Sequence, residues 1–207
     1  MSLSVILADD HPIVLQGLAA LFRDVPDIAL VGQATDGENA WRLIETYKPE
    51  VAILDLSMPG ATGIELAARI ESAAIGTQVV LLTMYENPFI ALDAERAGVA
   101  GYVLKDSAFE ELLLAVRIVA AGGTFMSAAV QAKLRALRRN GREPTPLSAR
   151  EREVVKLISH GLSSKEIARA LRISPGTVET YRKRLMQKLG LHSASEVVRK
   201  AMEEGLI

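Results

Sequence analysis

The 207-residue sequence contains no cysteine, which rules out disulfides and thiolate metal sites. Its three histidines, His11, His160 and His192, lie far apart and lack the spacing of a zinc site. No apolar run approaches the ~18–20 residues that span a bilayer. Met1-Ser2-Leu3 leads straight into an apolar stretch, so no signal peptide is expected. The expected location is cytoplasmic, with no membrane partner. Internal repeats and low-complexity tracts are missing too. A hydrophobic content of 49% and a charged content of 24% are those of an ordinary globular protein. The length fits one large domain or two modest ones.

Net charge is also scarce, at −1, but that value conceals an asymmetry. Residues 1–122 hold 7 Lys+Arg against 17 Asp+Glu, whereas residues 123–207 hold 17 against 8. An acidic half joined to a basic half points to two domains with different partners, the basic one facing phosphates.

In the acidic half, short apolar runs at Leu3–Ala8, Ala29–Ala34, Val51–Leu56, Gln78–Thr83 and Gly101–Lys105 alternate with helical patterns. Five strands alternating with five helices imply a doubly wound parallel sheet covered on both faces, with ligands beyond the carboxyl ends of its strands. Gly122-Gly123 closes this domain, expected to cover 1–122. Residues 123–145 read as a linker with a basic helix striped by Val130, Leu134 and Leu137 and broken by Asn140-Gly141, Pro144 and Pro146. Residues 146–207 read as a small all-α domain of four helices. Three begin with Ser-x-x-Glu capping boxes, Ser148 to Glu151, Ser163 to Glu166 and Ser193 to Glu196, and one begins with Ser174-Pro175.

The strand ends carry the chemistry. Strand one is followed by Asp9-Asp10, strand three ends in Asp55, strand four in Thr83 and strand five in Lys105. An unpaired buried carboxylate costs several kcal/mol, so carboxylates converging at one sheet edge call for a hard dication. Magnesium takes oxygen ligands and needs only one or two carboxylates. Lys105 and Thr83 then offer a charge and a hydroxyl to phosphoryl oxygens, and Asp55 is left as a nucleophile able to form an aspartyl-phosphate. The plainer alternatives are that Asp9 or Asp10 caps a helix starting near Pro12, that Thr83 is a loop hydroxyl, and that Lys105 is a solvated charge.

Together with Met58-Pro59-Gly60 and Gly101-Tyr102-Val103-Leu104-Lys105-Asp106, this set resembles the receiver domain of two-component response regulators over about residues 3–122. The resemblance implies the flavodoxin-like strand order 2-1-3-4-5 and phosphorylation of Asp55 by a sensor histidine kinase or a small phosphodonor. It also implies Mg²⁺ held by Asp10, Asp55 and the Ser57 carbonyl, with Asp9 assisting through water. Thr83 and Lys105 would contact the phosphoryl oxygens, with Tyr102 as the switch aromatic that packs inward. Ser57 and Tyr85 fall at variable positions that influence dephosphorylation in this family.

In the basic half, a short helix from Ser163 to Leu171, a turn at Arg172-Ile173-Ser174 and a longer helix over Pro175–Leu189 form a helix-turn-helix pattern. Val178, Tyr181, Leu185 and Leu189 make the inward stripe of the longer helix, leaving Glu179, Thr180, Arg182, Lys183 and Gln187 outside. Leu147-Ser148-Ala149-Arg150-Glu151, Gly161-Leu162-Ser163-Ser164-Lys165-Glu166-Ile167-Ala168 and Ser174-Pro175-Gly176-Thr177-Val178 resemble the LuxR-type DNA-binding domain over about residues 145–205. That resemblance implies base contacts from Glu179, Thr180 and Lys183 and phosphate contacts from Lys165, Thr177 and Arg182. It also places a dimer surface on the helix Ala194–Glu204. Tyr181 stands where histidine is frequent, and Glu179 where a basic or amide side chain is usual.

The combined pattern is that of NarL/FixJ-type response regulators. The expected function is a transcription factor controlled by phosphorylation, not an enzyme. Its expected partners are a sensor histidine kinase, double-stranded promoter DNA and a second copy of the chain, with RNA polymerase as a further candidate. The rival readings are a receiver that is never phosphorylated, a second domain that binds protein, and a haloacid-dehalogenase-type phosphatase. The last needs an aspartate two residues after its nucleophile, where this chain has Ser57.

Overall fold

A computed structural model describes residues 2–139 and 148–189. Internal contacts divide the chain into two compact units, Met1–Lys133 and Leu134–Ile207. The first unit is built on strands β1 (Leu3–Ala8), β2 (Ile28–Ala34), β3 (Val51–Asp55), β4 (Gln78–Thr83) and β5 (Val99–Leu104). Its helices are α1 (Pro12–Arg23), α2 (Gly37–Tyr47), α3 (Gly63–Ser72), α4 (Pro88–Arg96) and α5 (Phe109–Ala120). All strand pairs are parallel, in the order β2-β1-β3-β4-β5, and every residue of β3 is buried. Side chains alternate between sheet faces. Val5, Leu7, Ile53, Val80 and Val103 therefore pack on one face with Leu15 and Phe22 of α1 and Leu112, Val116 and Val119 of α5. The intervening Ile6, Leu54 and Leu81 are equally buried, with α2, α3 and α4 also packed against the strands.

The expectation of five strands is corrected by one. A sixth, β6 (Phe125–Met126), pairs in parallel with β5 through Gly101↔Phe125 and Tyr102↔Met126. Gly122 has φ +80, a conformation open to glycine, and it turns the chain after α5 back beside the free edge of β5. Two residues are too short to show a periodicity, which is why Gly122-Gly123 read as the end of the sheet. Next comes helix α6 (Ala128–Arg139), on which Val130 and Leu134 are buried as the stripe requires; the side chain of Leu137 lies outside the described residues.

In the second unit, α7 (Ala149–Ser159), α8 (Ser164–Leu171) and α9 (Pro175–Leu189) enclose Val154, Val155, Ile158, Ile167, Leu171, Val178 and Leu185. The capping boxes at Ser148/Glu151 and Ser163/Glu166 are both formed. Ser174 Oγ accepts the Thr177 N–H at 3.1 Å at the start of α9. Arg172 ends α8 in the left-handed region, φ 53, and so turns the chain toward α9. The expected fourth helix, with its box at Ser193 and Glu196, lies outside the described residues.

One glycine joins the fold to the end of β3. A Cβ on Gly63 would stand 2.5 Å from the Asp55 carbonyl oxygen and 2.6 Å from Leu81 Cδ1, so α3 can begin there only without a side chain. Gly76 has nothing within 4 Å of a built Cβ. Gly63→Ala is expected to lower stability by about 1–3 kcal/mol, as overpacking does. Gly76→Ala is expected to raise it by ~0.4–1 kcal/mol through the unfolded chain. Urea denaturation of the two variants at one pH measures both signs.

Candidate functional site

Because β1, β3, β4 and β5 run in one direction, the residues at their carboxyl ends gather at one edge, next to the switch point between β1 and β3. Lys105 Nζ bridges Asp9 Oδ2 at 2.8 Å and Asp55 Oδ2 at 2.9 Å. Asp9, Asp55 and Lys105 are nearly inaccessible, while Asp10 is about one-third exposed, its side chain at 31%. Neither Asp9 nor Asp10 caps α1, whose N-cap is His11 with no side-chain cap bond. Asp9 Oδ1 instead accepts the backbone N–H of His11 at 2.9 Å.

His11 is the site residue that sequence reasoning missed. Its Nδ1 lies 3.1 Å from Asp9 Oδ1, 2.8 Å from Asp10 Oδ1 and 4.0 Å from Asp55 Oδ2. The run Asp9-Asp10-His11 carries the signal, since His11 turns back onto the acid two residues before it.

Burial pushes the Asp55 carboxyl up to about 6; the Lys105 ammonium and the Ser57 N–H pull it down, and the Asp9 charge adds to the rise. Desolvation works against the charged form of Lys105, yet its bonds to Asp9 and Asp55 prevail and raise its pKa. One ammonium cannot offset three carboxylates. Apart from their ion-pair contacts, the enclosed atoms Asp9 Oδ2 and Asp10 Oδ1 receive no hydrogen bond. Ligand atoms of Asp9, Asp10, His11 and Asp55 lie within 4.8 Å of one another. Such a donor set, rich in oxygen and short of positive charge, fits a hard divalent cation.

Thr83 is fully buried at the end of β4, and its Oγ1 accepts the Tyr85 N–H at 3.2 Å. Tyr102 is buried too, and its hydroxyl donates to the Tyr85 carbonyl at 2.7 Å. Desolvation raises the Tyr102 pKa, so the phenol stays protonated and serves as a donor. Tyr85 thus meets both residues through its backbone. Ser57, exposed just beyond β3, touches the pocket through its N–H on the Asp55 carboxylate.

In the second unit, Lys165 on α8 and Thr177, Glu179, Thr180 and Lys183 on α9 are exposed. Thr177 Oγ1 shares a hydrogen bond with Ser174 Oγ at 2.8 Å, and Thr180 Oγ1 donates back to the Gly176 carbonyl at 3.0 Å. Arg182 is half-buried, with its guanidinium on the Ser164 hydroxyl, and so braces α9 against α8. Tyr181 is half-buried against the core, as its place on the inward stripe requires.

Comparison with known proteins matches the response regulator receiver domain at residues 5–117 and the luxR family of bacterial regulatory proteins at residues 145–201. The probable transcriptional regulatory protein NarL of Mycobacterium tuberculosis is 36% identical over 205 residues, 98% of this chain and 95% of that protein. The transcriptional regulatory protein DesR of Bacillus subtilis is 34% identical over 203 residues, 98% of each. Among solved structures, RcsB of Salmonella enterica serovar Typhimurium, bound to promoter rprA in the presence of phosphomimetic BeF3−, matches with a TM-score of 0.72. It is 29% identical, covering 96% of this chain and 98% of that one.

The raised Asp55 pKa has a signed consequence for stability. Between the unfolded value of 3.8 and the folded value of about 6, the folded state keeps a proton that the unfolded state releases. Stability contributed by this group is therefore lost as pH rises through that window. In chelator, the stability of Asp55→Asn relative to the unsubstituted protein is expected to increase from pH 4 to pH 7. The gain should be about 1–2 kcal/mol, reduced from the full linkage value by solvent screening. Urea denaturation at both pH values checks the sign.

Proposed function

The chain belongs to the NarL/FixJ-type response regulators, which join a receiver domain to a LuxR-type DNA-binding domain, and on that premise we propose that phosphorylation of Asp55 controls its promoter binding. The reading rests above all on the pairing of Lys105 with both Asp9 and Asp55 in a pocket where negative charge remains in excess. The proposed functional division is a receiver at 1–122, a linker at 123–145 and a DNA-binding domain at 146–207.

Mg²⁺ would be held by Asp10, Asp55 and the Ser57 carbonyl, with Asp9 assisting through water, and would supply charge neutralisation for phosphoryl transfer. Asp55 acts as the nucleophile. Its carboxylate oxygen forms the new O–P bond as the P–N bond of a phosphohistidine, or the P–O bond of a small phosphodonor, breaks. Lys105, already beside the Asp55 carboxylate, turns its ammonium to the added oxygens. Thr83 reaches them by giving up the Tyr85 N–H, and that exchange disturbs the residue whose carbonyl holds the Tyr102 hydroxyl. The switch therefore moves a loop and a buried aromatic together.

In the DNA-binding domain, Glu179, Thr180 and Lys183 are assigned to base edges in the major groove, and Lys165, Thr177 and Arg182 to phosphates. Arg182 reaches a phosphate only by sharing or leaving Ser164. The phosphorylated protein acts as a homodimer on paired half-sites, with RNA polymerase as a further contact.

Acetyl phosphate with Mg²⁺ is expected to add one phosphoryl mass to the protein and none to Asp55→Asn, as read by intact-mass spectrometry. In the same samples the phosphodonor should raise promoter affinity ~5–150-fold for the unsubstituted protein only. Equal affinity with and without the modification would defeat the regulatory reading. Lys165→Ala should weaken binding across promoter sequences alike and reduce the salt slope by about 1, measured by fluorescence anisotropy at several salt concentrations.

A further inference from the structure

We propose that His11 is a nitrogen ligand in the acidic pocket and tilts its metal preference toward transition-metal dications. The inference rests on the reading of that pocket as a divalent cation site.

Geometry makes the case. An octahedral ion with bonds of ~2.1 Å sets neighbouring donor atoms about 3.0 Å apart and opposite donors about 4.2 Å apart. His11 Nδ1 stands 2.8 Å from Asp10 Oδ1, close to one edge of that figure, with Asp9 Oδ1 3.1 Å away. Its 4.0 Å distance from Asp55 Oδ2 is close to a diagonal. The ring is held there by local backbone, since the His11 N–H donates to Asp9 Oδ1 at 2.9 Å and His11 is the N-cap of α1. Asp10 Oδ1, the oxygen nearest the ring, is enclosed and has no hydrogen bond besides its ion contact with His11. The His11 side chain is 66% exposed, so an ion reaches it directly from solvent.

Chemistry supplies the selectivity. Carboxylates and carbonyls suit Mg²⁺, Ca²⁺ and Mn²⁺, whereas imidazole favours nickel, copper and zinc, and affinity at a mixed site climbs from Mn²⁺ through Co²⁺ to Ni²⁺. A pocket of carboxylates alone would lack this increment. With His11 it acquires a second kind of donor, which Mg²⁺ has little use for. In the alternative, His11 merely hydrogen-bonds Asp10, and removing it would not change the choice of metal.

The test uses the full-length chain without an affinity tag and with His160 and His192 replaced by alanine, leaving His11 as its sole histidine. Ni²⁺ and Mg²⁺ are titrated separately by calorimetry into this parent and into its His11→Ala and His11→Gln forms. Expected is a loss of Ni²⁺ affinity of about tenfold or more, with Mg²⁺ affinity changed by less than about twofold. Unchanged Ni²⁺ affinity, or an equal fall for both ions, overturns the proposal. A parent that binds Ni²⁺ through His11 but takes no Mg²⁺ would uphold this inference and count against the Mg²⁺-dependent function proposed above.

Discussion

A single ammonium stands between two buried carboxylates. Lys105 holds Asp9 and Asp55 at ion-pair distance, and Asp10 lies beside them. The upward displacement of the Asp55 pKa comes first from burial, and the Asp9 charge adds to it against the pull of Lys105. A protein under selection for stability alone would place leucine or valine at the end of β3, whose other residues are Val51, Ala52, Ile53 and Leu54. The apolar fold around the site carries the cost. Both faces of the sheet are packed, and α3 begins with a glycine because the Asp55 backbone leaves no room for a side chain.

The parallel sheet was legible in the sequence because its strands are buried on both faces and read as unbroken apolar runs. The pocket was legible because charged groups after such runs have no packing role to explain them. Asp9, Asp10, Asp55 and Lys105 meet, and Thr83 ends the neighbouring strand, for that single reason. What escaped had weaker local signals. The pair Phe125–Met126 is too short to show alternation, and it becomes a strand only because β5 offers an unpaired edge. His11 looks like an ordinary residue before a helix, and its importance comes from the turn that points its ring back at the acids. In the basic half, Val178 and Leu185 are inside as their spacing required. Spacing places Arg182 on the outer face of α9, yet its bond to Ser164 spans two helices and leaves no trace in periodicity.

The loop between β4 and α4 links the pocket to the rest of the first unit. Thr83 and Tyr102 both hold Tyr85 by its backbone, one through the N–H and the other through the carbonyl. The next residue, Glu86, pairs with Lys133 on α6, and Asn87 caps α4 by accepting the Phe89 N–H at 2.8 Å. Three successive positions of one short segment, Tyr85, Glu86 and Asn87, are therefore tied to Thr83 and the buried aromatic, to α6 and to α4. The root of α6 is tied separately, since Ser127 donates to Glu111 on α5 and accepts the Leu104 N–H at the end of β5. Lys105 follows Leu104 directly, so the residue before α6 is bonded to the strand end that carries the pocket lysine. The Lys133–Glu86 pair is half-exposed and worth less than ~1 kcal/mol. The buried Val130 and Leu134 hold the helix more firmly than that pair does.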